Sequence, residues 1–390
     1  MDELENPYRP GAGTPPPALV GRDPLLSHFG TLMRRALAGR PGKSVMPIGL
    51  RGVGKTVLLN RFATIAADAG MKVIFIESPE NGDLRAMLGR HLRRVLLELD
   101  QARVTAKVTR ALRILKSFTA TTPDGTTFSI DINALSGVAD TGNLAEDVTD
   151  LLVAVGEALA DRTSGLLLCV DEVQYLTGAE LGALISAIHR TSQRDQPVVL
   201  VGAGLPQLPG LAGDAKSYAE RLFEFPLIDS LSDIDATQAL TRPANERGVL
   251  YTDDAVAAVL TATEGYPYFL QEWGYHLWNA AQRPEITAAL VENILPQVVS
   301  HLDLNFFLVR FDRLTPKEKD YLRAMAALGP GPHRSGDVAR KLAVKVESVA
   351  PRRGGLIAKG MVYSPAHGDT AFTVPMFDQF LLRQMPDWAP

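Results

Sequence analysis

One cysteine, Cys169, stands in 390 residues. A single thiol closes no disulfide within the chain and builds no multi-cysteine zinc or iron–sulfur centre, and this usage fits a reducing compartment. Long apolar runs are missing too. None approaches the roughly 18 residues of a membrane-spanning helix, so no membrane partner is expected. The opening MDELENPYRPGAGTPPP is acidic and then rich in Pro and Gly, without the apolar stretch of a secretory signal. Cytoplasmic location is the expectation. A large surplus of charge of one sign is also absent: 40 basic and 44 acidic residues leave a net charge of −4, which excludes a polycationic coat for nucleic acid but not a local basic face. The seven histidines are scattered without an H-E-x-x-H pattern or a close pair, so metal ligation by them is not expected. No G-x-S-x-G nucleophile elbow occurs.

What is present is enough apolar material for a large core: 46% hydrophobic and 22% charged residues over a length that suits two or three domains. Residues 1–18, with Pro7, Pro10, Pro15, Pro16 and Pro17, read as an extended arm, since proline does not fit a helix interior. From 19 to about 230 strands and helices alternate. Ser44–Ile48, Lys72–Glu77, Gly165–Val170 and Pro197–Val201 are the apolar strands, and the stretches around 23–38, 83–116, 144–160 and 179–192 are helical. That alternation predicts a parallel α/β sheet. Phe118–Ile132, around Pro123-Asp124-Gly125, reads as a hairpin. Residues 231–305 read as helices only, an all-α lid. Residues 306–390 read as three helices and a short β tail.

The most specific feature is Gly49-Leu50-Arg51-Gly52-Val53-Gly54-Lys55-Thr56, which fits G-x-x-x-x-G-K-[ST]. Glycines let successive backbone N–H groups turn inward around phosphate, and the following helix N-terminus favours anions. Lys55 would reach the outer phosphates and Thr56 would offer a hydroxyl to Mg²⁺. Gly49, Arg51, Gly52, Val53, Gly54, Lys55, Thr56 and Val57 are the expected nucleotide contacts. The strand Leu166–Val170 ends in Asp171-Glu172. Asp171 suits Mg²⁺ and Glu172 suits a water-orienting role. No N-K-x-D and no L-S-G-G-Q occurs, which removes the guanine-reading and transporter-type classes. Adenine nucleotide, ATP with Mg²⁺, is the expected ligand.

These two motifs resemble those of P-loop ATPases of the AAA+/STAND type. Leu19-Val20-Gly21-Arg22-Asp23 looks like the hhGRE box of that superfamily, which implies that Gly21 and Arg22 lie near the adenine. Gly265-Tyr266-Pro267 resembles the STAND G-x-P motif, which implies that Pro267 covers the nucleotide. The order of box, P-loop domain, helical lid and C-terminal winged helix is similar to archaeal origin-recognition and cell-division-control initiator ATPases and their bacterial "ATP-binding protein" relatives, over about residues 7–385. The fold class this implies is an α/β P-loop NTPase (a parallel sheet flanked by helices) with an all-α lid and a C-terminal winged helix-turn-helix. Slow ATP hydrolysis is implied as well. Arg221 stands where such ATPases carry an arginine finger, with Glu172 and Lys55 as its catalytic companions. Arg242 is the only sensor-2 candidate, and Gln174, two residues past the acidic pair, either touches water or phosphate or faces solvent. Val199–Gly204 lacks the polar residue of sensor 1.

In the last segment, Thr315 and Pro316 suit a helix start. Residues 315–360 hold ten Lys/Arg against four Asp/Glu, a local surplus of six. A basic module on an acidic chain is the footprint of phosphate contacts, with Lys345, Arg352 and Arg353 as the expected duplex-DNA contacts. Self-association or a protein partner is the other use of such a module. Pro351 would kink a recognition helix running over Val346–Lys359. The aromatics Tyr266, Tyr268, Phe269, Trp273, Tyr275 and Trp278 read as core.

Overall fold

The computed structural model describes residues 1–79, 82–102, 104–120, 133–366 and 368–389. The first half contains α1 (Asp23–Leu37), β1 (Ser44–Val45), α2 (Lys55–Asp68), β2 (Lys72–Glu77), α3 (Leu84–Ala102), α4 (Ala106–Ala120), α5 (Leu144–Ala160), β3 (Leu166–Asp171), α6 (Gly178–Ser192), β4 (Val198–Gly202), α7 (Leu208–Ala215), α8 (Ala219–Leu222) and β5 (Phe223–Glu224). The Pro123-Asp124-Gly125 turn falls outside the described residues. Phe118–Ala120, expected to open that hairpin, instead complete α4.

β3 lies between β2 and β4, all parallel, with Ile74 opposite Leu168 and Leu168 opposite Leu200. Its six residues are all buried, and the pleat explains why every position is apolar until the last. Leu167 and Cys169 turn toward the core shared with α1 and α2, while Leu166, Leu168 and Val170 turn toward the core shared with α5 and α6. Covered on both faces, Cys169 has its thiol pushed up to about 12 by burial and then by Asp171, so it is inert at neutral pH.

β1 pairs in parallel with β5. Past β1 the hydrogen bonds continue on both sides: Met46 and Ile48 donate to the Glu224 and Pro226 carbonyls, Gly204 donates to the Pro47 carbonyl, and Ile48 forms parallel bridges with Gly204 and Leu227. The β1 line therefore runs between β4 and β5, giving the order β2-β3-β4-β1-β5. The P-loop leaves the end of the β1 line, and Thr56 at the start of α2 meets Asp171 at the carboxyl end of β3.

The helical segment follows as α9 (Asp233–Asn245), β6 (Leu250–Tyr251), α10 (Asp253–Thr263), α11 (Pro267–Ala280), β7 (Glu285–Ile286) and α12 (Ala288–Leu302). The expectation of helices alone misses one detail: β6 and β7 form a two-residue parallel pair. A π-helical turn, Asp303–Phe307, carries α12 directly into α13 (Leu308–Phe311), so one helical rod crosses residue 305. Tyr266, Phe269, Trp273 and Trp278 are buried in this segment.

The N-terminal arm is packed rather than loose. Tyr8 is buried, and its hydroxyl donates to the Leu240 carbonyl. Asn6 donates to the Tyr275 carbonyl and to Asn279. Gly274 makes room for the Tyr8 ring, since a Cβ there would stand 2.4 Å from it.

The C-terminal segment contains α14 (Pro316–Ala326), β8 (His333–Arg334), α15 (Ser335–Lys341), α16 (Ala350–Ala358), β9 (Val362–Tyr363), β10 (Asp369–Phe372) and α17 (Phe377–Gln384). Thr315 and Glu318 close a capping box at the start of α14, with Pro316 in the first turn. The strands form an antiparallel sheet ordered β8-β10-β9. The expected kink at Pro351 does not arise. A short 3-10 turn takes Val346–Ser348, and α16 starts afresh at Ala350, so Pro351 sits in a first turn, where no N–H is needed.

Candidate functional site

Two backbone features shape the phosphate loop. Gly49 passes so close to the Ile228 carbonyl that a Cβ would stand 2.1 Å from its oxygen. Gly54, immediately before α2, is left-handed at φ +93, a conformation side chains resist. These two glycines let the loop bend tightly against Ile228 and open α2 at Lys55.

The Lys55 ammonium is buried and folds onto its own loop, donating to the carbonyls of Gly49 at 2.9 Å and Leu50 at 2.8 Å. Burial lowers its pKa to about 8, partly opposed by the charges of Glu172 and Asp171. The Thr56 hydroxyl donates to Asp171 Oδ2 at 2.6 Å. Asp171 is held above the ordinary carboxylate range, first by burial, although the Thr56 hydrogen bond pulls the other way. A hydroxyl and a carboxylate side by side are the hard oxygen donors that suit a Mg²⁺ ion keeping most of its waters.

Glu172 follows in the left-handed region, φ 52 and ψ 43, which is uncommon outside glycine and asparagine. Its carboxylate faces Arg51 Nη1 at 3.5 Å and accepts from the Gln174 amide. Gln174 in turn accepts from the Leu205 N–H at 3.1 Å. Gln174 is thus neither solvent-facing nor aimed at phosphate; it fixes Glu172 against the loop after β4. Arg51 also donates to the Tyr175 hydroxyl at 2.7 Å.

All of this opens into one cavity of about 920 Å³, at the upper end of small-molecule sites. Its lining takes Arg51 through Val57 from the P-loop, Glu172 from the end of β3, Pro267 and Gln271 from α11, and Arg310, Arg313 and Lys359 from the segment beyond residue 305. The C-terminal segment touches the P-loop directly. The Arg51 N–H donates to the Thr373 carbonyl at 3.0 Å, and a Cβ on Gly360 would stand 2.6 Å from Arg51 Nη2. From the other side, the Tyr266 hydroxyl donates to the Arg51 carbonyl at 2.5 Å.

The family described as the AAA ATPase domain matches residues 18–201, the stretch that holds the P-loop and Asp171-Glu172. Residues 18–201 are an AAA ATPase domain. A second family, described as a domain of unknown function (DUF8462), matches residues 304–381. No curated protein matches the chain. Among solved structures, the chain is similar to Cdc6p from Pyrobaculum aerophilum, at 15% identity and a TM-score of 0.49 over 99% of this chain and 98% of that one. It is also similar to the Orc1 protein of Aeropyrum pernix, solved in complex with DNA, at 16% identity and a TM-score of 0.46 over 95% and 94%. The RuvB Holliday junction branch migration motor of Thermotoga maritima is similar at 14% identity and a TM-score of 0.46 over 95% and 96%. Identities and scores this low leave the site itself as the ground for any functional reading.

Around the AAA ATPase domain the other expected residues divide. Arg22 lines the cavity and donates to the Asp229 carbonyl at 2.8 Å. Gly21 stands back from the cavity, left-handed against Asp235, and Gly49 shapes the loop without lining the cavity. Arg221 is exposed on α8 and is absent from the cavity lining. A catalytic role for Arg221 at its own chain's site is therefore corrected. Arg242 pairs with Glu246 on the surface at 2.9 Å and does not reach the cavity either.

The expected DNA contacts also divide. Arg353 is engaged inside its own segment, donating to Thr370 Oγ1 and Ser364 Oγ at 2.7 Å and to the Asp369 carbonyl at 2.8 Å. It ties α16 to the hairpin of β9 and β10, which corrects its expected place on a DNA-facing surface. Lys345 is exposed and Arg352 half-exposed. Among the described residues, neither side chain makes a hydrogen bond or ion pair.

Sequence reasoning missed Tyr175, Arg310, Arg313 and Lys359. Tyr175 lies three residues past Glu172 and was within reach of the motif. Arg310 comes from α13, nearly 140 residues past the Asp-Glu pair, Arg313 from the turn after it and Lys359 from the end of α16, and no local pattern ties them to the P-loop. The search for close histidine pairs in sequence also missed a spatial one: His276 and His301 lie with ring centroids 4.6 Å apart.

Proposed function

We propose that the chain is an ATP-dependent switch in which adenine nucleotide and Mg²⁺ bind the cavity and set the position of the C-terminal segment. One observation carries this reading. The cavity that holds Lys55, Thr56 and Glu172 is also walled by Arg310, Arg313 and Lys359, so phosphate charge is shared between the ATPase domain and the segment that follows it. The loop amides and Lys55 hold the phosphates, and Thr56 and Asp171 would hold a Mg²⁺ ion, which would supply charge neutralisation there. Lys55 exchanges its carbonyl partners for phosphate oxygens. Hydrolysis transfers the γ-phosphoryl group to water, giving ADP and phosphate, with Glu172 accepting a hydrogen bond from the attacking water. Because Arg51 and Gln174 hold Glu172, turnover is expected to be slow.

The output we assign is binding of duplex DNA through the three-helix and β-hairpin module after residue 306, or self-association. Lys317, Lys341, Lys345 and Arg352, whose side chains make no hydrogen bond or ion pair among the described residues, supply its cations. A second reading is a signalling scaffold whose module makes protein contacts. The inward engagement of Arg353 and the docking of Thr373 and Gly360 on Arg51 favour it. Duplex-DNA binding at two salt concentrations, with and without ATP and Mg²⁺, separates the two. Steeply salt-dependent, nucleotide-dependent binding supports the DNA-directed switch. No binding in either nucleotide state moves the module to protein contacts.

A further inference from the structure

Outside the nucleotide site, α11 and α12 bring three metal-ligating side chains together. Glu272 and His276 are one turn apart on α11, and His301 comes from the end of α12. Each offers one ligand atom within 4.8 Å of the others. The Glu272 carboxylate stands 3.8 Å from His276 Nε2 and 3.7 Å from His301 Nε2. Glu272 is buried, and His276 Nε2 is buried with no hydrogen-bond partner among the described residues, an orphan that normally demands an explanation.

We propose that Glu272, His276 and His301 bind a divalent transition-metal ion of the zinc class, clipping α11 to α12. The donor set is chemically apt: two imidazoles and one carboxylate are a three-ligand zinc set that leaves the fourth position to water. Bonds of about 2.0–2.1 Å at tetrahedral angles require ligand atoms about 3.4 Å apart, a contraction that side-chain rotation supplies. The ion satisfies the orphaned His276 nitrogen and partners the buried Glu272 charge. Burial already disfavours the protonated form of His276, as ligation requires.

The outer contacts are in place as well. The Tyr268 hydroxyl donates to Glu272 Oε1 at 2.6 Å and leaves the other oxygen for metal. Asn305 stands 3.2 Å from His301 Nδ1. Ligation through Nε2 moves the ring proton to Nδ1, and rotation of the Asn305 amide turns its oxygen to accept that proton. Tyr268 and Asn305 both line the nucleotide cavity, so the clip sits one hydrogen bond away from it on two sides.

The test is a Co²⁺ titration of the chelator-stripped full chain, followed by visible absorption, in excess Mg²⁺ to fill hard-oxygen sites. The expected result is one equivalent of Co²⁺ with the intense spectrum of a tetrahedral site, displaced by Zn²⁺. His301→Ala, on a partly exposed ring, is expected to keep the metal-free melting temperature and to weaken binding at least about tenfold. His301→Gln, which keeps the bulk, is expected to behave alike. Octahedral or absent binding, or equal tetrahedral binding by the parent protein and both variants, overturns the proposal.

Discussion

The two walls of the nucleotide cavity are built on different terms. On the sheet side, Lys55, Thr56, Asp171 and Glu172 sit where a strand or loop ends, and their direction is set by the backbone immediately before them: the left-handed Gly54, the last pleat of β3 and the left-handed Glu172. On the C-terminal side, the cations sit on helices or just past their ends, and their fate depends on partners from other elements. Lys359 is drawn to Glu318 at 2.7 Å, and Arg353 is taken up by Thr370, Ser364 and Asp369. Arg310 stacks over the Phe306 ring at the cavity edge. Residues at strand ends therefore keep the chemistry their motif announces. Helix-face cations keep theirs only when no neighbour claims them.

The sharpest way to break this contrast is on the sheet side. Lys55→Ala removes the buried ammonium facing the phosphates, and nucleotide affinity is expected to fall about a hundredfold, roughly the 3 kcal/mol of charge-assisted contacts. Equilibrium binding of a fluorescent ATP analogue measures it. Glu172→Gln is expected to bind as tightly as the parent protein and to lose turnover in a phosphate-release assay; undiminished turnover would remove Glu172 from the chemistry.

On the C-terminal side, Arg353→Ala is expected to cost about 2 kcal/mol of stability, since it strands polar partners in the hairpin. Nucleotide affinity should change little, and thermal denaturation with and without ATP reads both. If Arg353 instead served DNA, stability would hold and DNA affinity alone would drop.

The pH dependence follows from Lys55. Its charged form is the one phosphate needs, and burial brings its nucleotide-free pKa to about 8. Affinity is therefore expected to be flat below pH 8 and to weaken by up to about tenfold per unit above it, with proton uptake on binding. Calorimetry in two buffers of different ionisation enthalpy detects that proton. The smallest effect belongs to Lys345→Ala and Arg352→Ala. If the module contacts DNA, each weakens binding a few-fold across all sequences and lowers the salt slope by about one.

The same contrast explains what was legible in the sequence. The strands, the P-loop and Asp171-Glu172 could be read because β3 must be apolar on both faces until the residue that meets the cavity. Pro351 misled because a proline inside an apparent helix also marks the first turn of a new one. The cavity's C-terminal wall was illegible. Nothing near Arg310 says that a helical rod through residues 288–311 returns it to the P-loop, and nothing near Lys359 says that Gly360 packs on Arg51. The Glu272, His276 and His301 cluster was hidden for the same reason, since 25 residues separate its two histidines.

The central claim is that nucleotide in this cavity governs how the C-terminal segment docks on the P-loop. Amide hydrogen exchange over residues 359–376, with and without ATP and Mg²⁺, tests it most directly, with Lys55→Ala as the control that does not bind. The account predicts a nucleotide-dependent change in protection around Gly360 and Thr373 that Lys55→Ala abolishes. Identical exchange in the two states, with nucleotide shown to be bound, would contradict it.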